Sequence, residues 1–203
     1  MFEKKIFLTR YFFILFPLIG VLIMFGCQSN SGPNIINGDF EAAPEQYGNP
    51  NSWFATRVPQ TKEYVNFAWD SKEHHSGSYS VSIAIDSTHP QDEIAYNWTC
   101  TLTDFIIDKQ YLISGWIKTR NLNQTAWIVV QCLNAEKKMI GYATTQRDYQ
   151  IKGINDWTLA KTNFTVPEGT KEVRIRMGIS SPKNNGGEVW FDDIKFEEVK
   201  KAT

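Results

Sequence analysis

The stretch Val189-Trp-Phe-Asp-Asp-Ile-Lys-Phe196 alternates in the manner of a β-strand with one buried face. The alternation predicts that Asp192 shares the buried side with Trp190 and Phe196. A carboxylate on that side is costly unless a cation or a set of hydrogen-bond donors meets it. A second acidic and aromatic cluster, Asn37-Gly-Asp-Phe-Glu41, lies far upstream. We expect the two segments to be the first and last strands, lying together around a structural metal ion.

Between these two segments the sequence has a period of two, interrupted by turn residues, with almost no helical periodicity. The clearest strand is Val173-Arg-Ile-Arg-Met-Gly-Ile179, in which apolar residues alternate with Arg174 and Arg176. Asn184-Asn-Gly-Gly187 and the polar segment 134–138 are typical of turns. Many such strands, together with 14% aromatic residues, predict a single all-β domain, a two-sheet antiparallel β-sandwich.

The N-terminus has the pattern of an export signal. A basic region that contains Lys4 and Arg10 precedes an uncharged apolar run, Tyr11 to Phe25. This run is too short and wrongly flanked for a membrane span. Ile23-Met-Phe-Gly-Cys27 then resembles a bacterial lipobox, which implies cleavage before Cys27 and attachment of lipid to it.

The sequence therefore predicts three parts: a lipoprotein signal peptide (1–26), the lipidated cysteine with a short linker (27–33), and a β-sandwich (34–199). An N-terminal membrane anchor is the alternative to the lipid anchor. Both alternatives place the domain outside the cytoplasm. We expect a protein of the bacterial cell envelope that is lipid-anchored and faces the periplasm or the cell surface.

The charge of the chain argues against a nucleic-acid partner. Removal of residues 1–26 takes away three basic residues and one acidic residue, so the net charge changes from −1 to about −3. Binding to nucleic acid normally requires a basic surface. The other two cysteines, Cys100 and Cys132, lie in strand-like runs and are compatible with either a disulfide or two buried thiols.

Six segments follow one another in a characteristic order along the chain. They are Asn34-Ile-Ile-Asn-Gly-Asp-Phe-Glu41, Trp53, His75-Ser-Gly-Ser-Tyr-Ser-Val81, Tyr111-Leu-Ile-Ser-Gly-Trp-Ile-Lys118, Val166-Pro-Glu-Gly-Thr170 and Val189-Trp-Phe-Asp-Asp-Ile194. In this order they resemble galactose-binding-like jelly-roll carbohydrate-binding modules of families 4, 9 and 22, which are often appended to glycoside hydrolases. The resemblance implies an antiparallel jelly roll with a structural calcium ion and, more weakly, glycan binding.

The resemblance also implies which residues would bind calcium (Ca2+). In such modules the ion lies between the first strand, the Ser-Gly-x-Tyr-Ser turn and the first aspartate of the Asp-Asp pair. Carried over to this chain, Glu41 and Asp192 are side-chain ligands, and Asp39 and Ser78 contribute backbone carbonyls. Calcium takes about six to eight oxygen ligands. The alternative is that these acids are solvated charges at strand ends.

A sugar presents apolar C–H faces and a rim of hydroxyl groups, which proteins bind with aromatic rings and planar polar groups. Residues of these types lie on the non-core sides of predicted strands or near strand ends. We expect the carbohydrate site among Trp116, Trp127, Gln131, Arg174, Arg176, Trp69 and Trp98. For each tryptophan a core position is the alternative, and the arginines have the alternative of pairing with nearby acids.

The sequence shows no motif of a catalytic nucleophile and no phosphate-binding glycine loop, and its acidic residues fall mostly in turns rather than as a pair across a cleft. We therefore expect no catalysis by this chain alone. The favoured function is a carbohydrate-binding lipoprotein that holds poly- or oligosaccharide for partner glycoside hydrolases. The alternatives are a structural or protein-interaction module on the same fold, with no sugar ligand, and an accessory module of a glycoside hydrolase system.

Overall fold

The computed structural model describes residues 37–42 and 48–200 of the chain. The predicted signal peptide (1–26), Cys27 and the linker up to residue 33 lie outside the described residues. Within the described ranges, no helix is long and apolar enough to cross a membrane.

The described residues form ten β-strands and two short 3₁₀ helices, Pro59–Thr61 and Thr145–Arg147. The strands are β1 (Phe54–Ala55), β2 (Val65–Asp70), β3 (Ser80–Ile85), β4 (Ala95–Leu102), β5 (Gln110–Leu122), β6 (Trp127–Leu133), β7 (Met139–Thr144), β8 (Gly153–Thr165), β9 (Glu172–Ser180) and β10 (Glu188–Glu198). Sheet A has the order β1-β4-β9-β6-β7, and sheet B has the order β2-β3-β10-β5-β8. All pairings are antiparallel. The predicted fold class, an all-β two-sheet antiparallel β-sandwich of the jelly-roll type, is confirmed.

The core lies between the two sheets and is formed by the apolar residues that occupy every second position along the strands. In β9 the alternate apolar residues are fully buried, whereas Arg174 and Arg176 between them are half-buried. In β5, Tyr111 and Ile113 are buried in the same way. The period of two therefore separates a core side from a solvent side in these strands, as the sequence predicts.

Strand β10 departs from the predicted alternation at Asp193. Asp192 pairs with Trp116 of β5, and Lys195 pairs with Ser114, so β10 has one residue more than β5 between these two pairs. Asp193, which has a positive φ of 49°, lies within this β-bulge. An extra residue in one strand exchanges the two faces for all residues that follow it.

The bulge overturns one prediction from the sequence. Phe196 faces the core, but Trp190 and Asp192 lie on the outer face of sheet B. Trp190 is buried there rather than in the core between the sheets, because its Nε1 donates to Asp70 Oδ2 at 2.9 Å and the Arg120 guanidinium lies 5.3 Å from its ring centroid. The prediction that Asp192 and Trp190 share a side with Phe196 is wrong.

The upstream segment 37–42 contacts β10 as predicted, since Ile194 N donates to Gly38 O at 2.8 Å. It is a turn and not a strand. Asn37 and Phe40 have φ values of 61° and 57°, which are incompatible with extended backbone. The prediction that the two terminal segments lie together is confirmed, and the prediction that the first of them is a strand is wrong.

Cys100 and Cys132 are buried free thiols. They lie on β4 and β6, and β9 runs between these strands. Their separation is roughly 10 Å or more, two interstrand spacings, which is too far for a disulfide. Burial raises the pKa of each thiol to about 11.

Candidate functional site

The outer face of sheet A, hereafter the A face, is formed by the residues that alternate with the core residues of its strands. The pairing register places them in three rows across the sheet. The rows are Asn97, Gly178 and Trp127; then Phe54, Thr99, Arg176, Val129 and Thr144; then Thr101, Arg174, Gln131 and Tyr142. Four of the predicted sugar-contact residues, Trp127, Gln131, Arg174 and Arg176, therefore share one face. Their contact with sugar stays a prediction.

Two exposed aromatic side chains lie at opposite edges of the A face. Phe54 on β1 is 64% exposed and Tyr142 on β7 is 46% exposed. Their strands are roughly 19 Å apart, because four interstrand spacings separate them. Trp127 is only 9% exposed, so most of its ring is already covered. The open aromatic surface of this face is provided by Phe54 and Tyr142, neither of which the sequence analysis singled out.

Polar groups occupy the centre of the A face. Arg176 Nε donates to Asn97 Oδ1 at 2.9 Å, and Thr99 Oγ1 donates to the same oxygen at 2.7 Å. Burial lowers the pKa of Arg176, and the positive charge of Arg174 lowers it further. The centre of this face is therefore a partly desolvated cation in an ordered hydrogen-bond network.

Glu172 is the acidic residue at one end of the A face. It accepts hydrogen bonds from Arg174, at 2.7 Å, and from the Lys137 ammonium. The hydrogen bond from Lys137 lowers the pKa of Glu172 most. The interactions with Arg174 lower it further, and burial acts in the opposite direction. Glu172 is thus an ionised partner of two cations and is not a proton donor.

A cavity of about 320 Å³ lies at the opposite end of the same face. Ala95 and Ser180, which pair with one another one row beyond Asn97 and Gly178, contribute to its lining. Polar or charged side chains from the surrounding loops complete it, namely Glu93, Gln124, Ser181 and Lys183. The A face therefore continues into a polar depression.

Three predicted sugar-contact tryptophans lie elsewhere. Trp98 is fully buried in the core, and its Nε1 donates to Ser82 O of the opposite sheet at 3.0 Å. A fully buried ring cannot contact a ligand at the surface, so the prediction for Trp98 is wrong.

Trp116 and Trp69 also lie apart from the A face. Trp116 is on the outer face of sheet B, where the His75 ring stacks on it at a centroid distance of 3.9 Å. Trp69 belongs to sheet B as well, stacks on Tyr79 at 3.9 Å, and donates from Nε1 to Phe40 O. Both rings have one face covered by the protein itself. The structure does not bring them together with Trp127.

The loop of residues 75–79, hereafter the 75–79 loop, is bound by two carboxylates. The first is Asp192, which is fully buried. Its Oδ2 accepts the backbone N–H groups of His75, at 2.7 Å, and Ser76, at 3.1 Å, and its Oδ1 accepts that of Asp193, at 2.7 Å. Burial raises the pKa of Asp192 to about 6, against the lowering effect of these donors.

The second carboxylate is Glu41. Its Oε1 accepts the backbone N–H groups of Ser78, at 2.8 Å, and Tyr79, at 2.9 Å. Gly77 lies between the two bound parts of the loop and has a φ of 60°; a Cβ atom here would lie 2.4 Å from Glu41 Oε1. The loop therefore requires glycine at this position both for its conformation and for the approach of the carboxylate.

The predicted calcium ligands are Asp39, Glu41, Ser78 and Asp192, and the donors around the two carboxylates test whether these residues could form a calcium site. The 75–79 loop presents N–H groups to Glu41 and Asp192, whereas calcium requires a cage of oxygen atoms. Within residues 37–42 and 48–200, no group of three or more acidic, histidine or cysteine side chains could hold a metal ion. The donor set found here fits bound carboxylates and does not fit the predicted cage. Calcium binding itself is untested, and thermal unfolding with and without the ion decides it.

No family model and no characterised protein sequence matches the chain. Solved structures share its fold. The xylan-binding domain of a family 22 carbohydrate-binding module superposes with a TM-score of 0.55 at 14% identity, covering 82% of this chain and 95% of that domain. The C-terminal family 22 module of Clostridium thermocellum Xyn10B gives 0.54 at 14% identity, covering 79% and 91%.

A larger protein shares the fold as well. The enzymatically active domain of bacteriophage CBA120 tailspike protein 4 superposes with a TM-score of 0.60 at 17% identity over 82% of this chain. The chain covers only 21% of that protein's length. At these identities the likeness concerns the fold alone. It confirms the resemblance to jelly-roll carbohydrate-binding modules at the level of architecture.

Calcium binding can be tested by thermal unfolding of the full chain with saturating calcium or with EDTA. Because N–H donors already occupy both oxygens of Asp192 and Oε1 of Glu41, we expect the two melting temperatures to agree within about 2 °C. A ligand at 100 times its Kd adds about 2.7 kcal/mol, or roughly 5 to 11 °C for a domain of this size. A calcium-dependent rise of that size would establish the ion and contradict the metal-free interpretation of the loop.

Proposed function

We propose that this chain is a non-catalytic, carbohydrate-binding lipoprotein that binds poly- or oligosaccharide on the A face. The observation that carries the proposal is the arrangement of that face. Exposed rings, Phe54 and Tyr142, lie at its two edges, and the planar polar groups of Gln131, Arg174 and Arg176 lie between them. Aromatic rings pack on the C–H faces of sugars, and amide and guanidinium groups hydrogen-bond to hydroxyls. The xylan-binding domain that shares the fold supports the proposal.

The same face supports binding better than catalysis. Glycoside hydrolysis normally uses two carboxyl groups on either side of the scissile bond, one of them protonated. At one end of the A face, Glu172 is held ionised by Lys137 and Arg174. Glu93 lies in the cavity at the other end. These two acids lie at opposite ends of the sheet and do not face one bond.

In this proposal the lipid on Cys27 attaches the domain to the membrane at the cell envelope, facing the periplasm or the cell surface. The bound polysaccharide would thereby be held close to partner glycoside hydrolases. The basis for this part is the export signal and the lipobox-like sequence before Cys27.

The proposal is tested with the full chain purified in detergent, by pull-down on insoluble polysaccharides and by a glycan array. We expect retention on at least one glycan. Tyr142→Ala removes an exposed ring from the edge of the A face and should weaken that binding by about 5- to 30-fold, the effect of losing 1 to 2 kcal/mol of contact.

The matched control is Ile154→Ala on β8 of sheet B, which also removes an exposed apolar side chain. Its affinity should stay within about twofold of the unchanged protein. Absence of binding to every glycan would refute the proposal. A stoichiometric protein partner that co-purifies, with no effect of sugars on thermal stability, would favour the interaction module instead.

A further inference from the structure

Arg176 is a cation without a counterion. It lies in the middle row of the A face, between Thr99 of β4 and Val129 of β6, and is half-buried. Its Nε donates to Asn97 Oδ1, which is uncharged. In the part of the chain that the structure describes, no carboxylate lies within ion-pair distance of its guanidinium.

Two other arginines on strands, Arg174 and Arg120, differ in this respect. Arg174, two residues earlier on the same face, pairs with Glu172 at 2.7 Å. Arg120 on sheet B pairs with Glu188. A partly buried charge is normally compensated by an opposite charge, because the loss of hydration is costly. The fold compensates these two arginines and leaves Arg176 uncompensated.

The part of the A face around Arg174 and Arg176 has more cations than carboxylates. Glu172 is shared between Arg174 and Lys137, so one carboxylate faces two cations at that end of the face. Burial lowers the pKa of Arg176, and the positive charge of Arg174 lowers it further, as expected for a cation that meets no carboxylate. An anion placed over the middle row would contact Arg176 and relieve its repulsion by Arg174.

A guanidinium group is suited to binding an anion, because its planar fork of N–H donors matches the oxygens of a carboxylate or a sulfate. The Nε–H is already used by Asn97, and the terminal nitrogens make no hydrogen bond to a described side chain or backbone group. The exposed rings of Phe54 and Tyr142 lie on either side across the sheet and are suited to the apolar faces of sugars.

We propose that the A face binds anionic glycans, and that Arg176 contacts a carboxylate or sulfate group on the sugar chain. This inference rests on the proposed function, since it specifies the class of glycan that the A face would take. The chain as a whole has a net charge of −1. General attraction to polyanions is therefore not expected, and selectivity for an anionic glycan has to come from the local site.

The test compares two polyanions with their uncharged counterparts in 0.15 M salt, a concentration at which long-range attraction is screened over about 8 Å. The pairs are polygalacturonate with its methyl-esterified form, and dextran sulfate with dextran; neutral xylan is also included. We expect at least one polyanion to bind the full chain about tenfold or more tightly than its uncharged counterpart. The pair that shows the difference identifies carboxylate or sulfate as the recognised group.

Arg176→Gln removes the guanidinium and should weaken binding of that polyanion by roughly 10- to 100-fold, the range for a hydrogen-bonded charge. Binding of the uncharged counterpart should weaken by a clearly smaller factor, because glutamine can still hydrogen-bond to sugar hydroxyl groups. Lys161→Gln is the matched control, because Lys161 is an exposed cation on β8 of sheet B. It should leave the affinity for the polyanion unchanged within about twofold.

Equal affinity for each polyanion and its uncharged counterpart would overturn the inference while leaving carbohydrate binding intact. Equal losses in Arg176→Gln and Lys161→Gln would also overturn it, because the attraction would then be general. Failure of all probes and of the wider glycan array would refute both this inference and the proposed function. The comparison within each pair needs no variant, so the inference stays testable if Arg176→Gln does not fold.

Discussion

Asp192→Ala is expected to lower the free energy of unfolding by about 3 to 5 kcal/mol. In the native protein, the buried carboxylate accepts three backbone N–H groups at 2.7 to 3.1 Å, two of them from the 75–79 loop. Alanine leaves these donors without an acceptor, at a cost of about 1 to 3 kcal/mol for each one that water does not reach. Urea unfolding followed by tryptophan fluorescence measures the change.

Asp192→Asn should be destabilised as well, although it preserves the shape of the side chain. Both carboxylate oxygens accept backbone N–H groups, so the amide nitrogen of asparagine would point its own hydrogens at one of these donors. A loss close to that of Asp192→Ala is expected. Asp192→Asn therefore distinguishes two requirements at this position: a hydrogen-bond acceptor at each of the two side-chain termini, and a side chain that fills the space.

Asp193→Asn is the matched control for both variants. Its carboxylate accepts from His75 Nδ1 and Ser76 Oγ, but its side chain is 18% exposed and the bond to Ser76 is at an exposed position. Asparagine also tolerates the positive φ of 49° at this position. We expect a loss below about 1 kcal/mol. Equal losses at Asp192 and Asp193 would show that Asp192 does not hold the loop.

Trp98→Ala is expected to lower the free energy of unfolding by about 3 to 5 kcal/mol, the range for deleting a large aromatic ring from a core. Trp98 has no exposed surface and contacts Phe67 edge to face at 5.5 Å. It also joins the two sheets, because its Nε1 on sheet A donates to Ser82 O on sheet B. Alanine removes the packing and this hydrogen bond together.

Trp98→Phe retains most of the ring and loses the Nε1 donor, so a loss of about 1 to 2 kcal/mol is expected. Trp157→Ala is the control for tryptophan removal in general. Trp157 is half-buried and contacts His75 at a centroid distance of 5.9 Å; we expect a loss of about 1 kcal/mol or less. If Trp98→Ala were no more destabilising than Trp157→Ala, the core position of Trp98 would be contradicted.

The candidate site could be predicted from the sequence in part. Trp127, Gln131, Arg174 and Arg176 lie on one face, because strand alternation assigns each residue to a side without any long-range information. The same reasoning could not tell sheet A from sheet B. Trp116 satisfies the same rule as Trp127, yet it lies on the other sheet beneath the His75 ring.

The exposed rings at the edges of the A face illustrate two different failures. Phe54 lies in a strand of two residues, too short for a period to be read, within a segment interrupted by prolines. Tyr142 lies in a recognisable strand, and its alternation with buried Ala143 would have indicated an outward position. The signal for Tyr142 was available, and the signal for Phe54 was not.

By itself, the sequence determined the all-β class and the core sides of most strands. Tertiary structure alone decided the bulge at Asp193, the separation of the tryptophans between two sheets, and the donors that meet Asp192 and Glu41. The physical reason is that alternation is a property of one strand, which hydrophobic burial enforces locally. The bulge depends on the partner strand, and the N–H groups that Asp192 accepts from the 75–79 loop come from residues more than a hundred positions away.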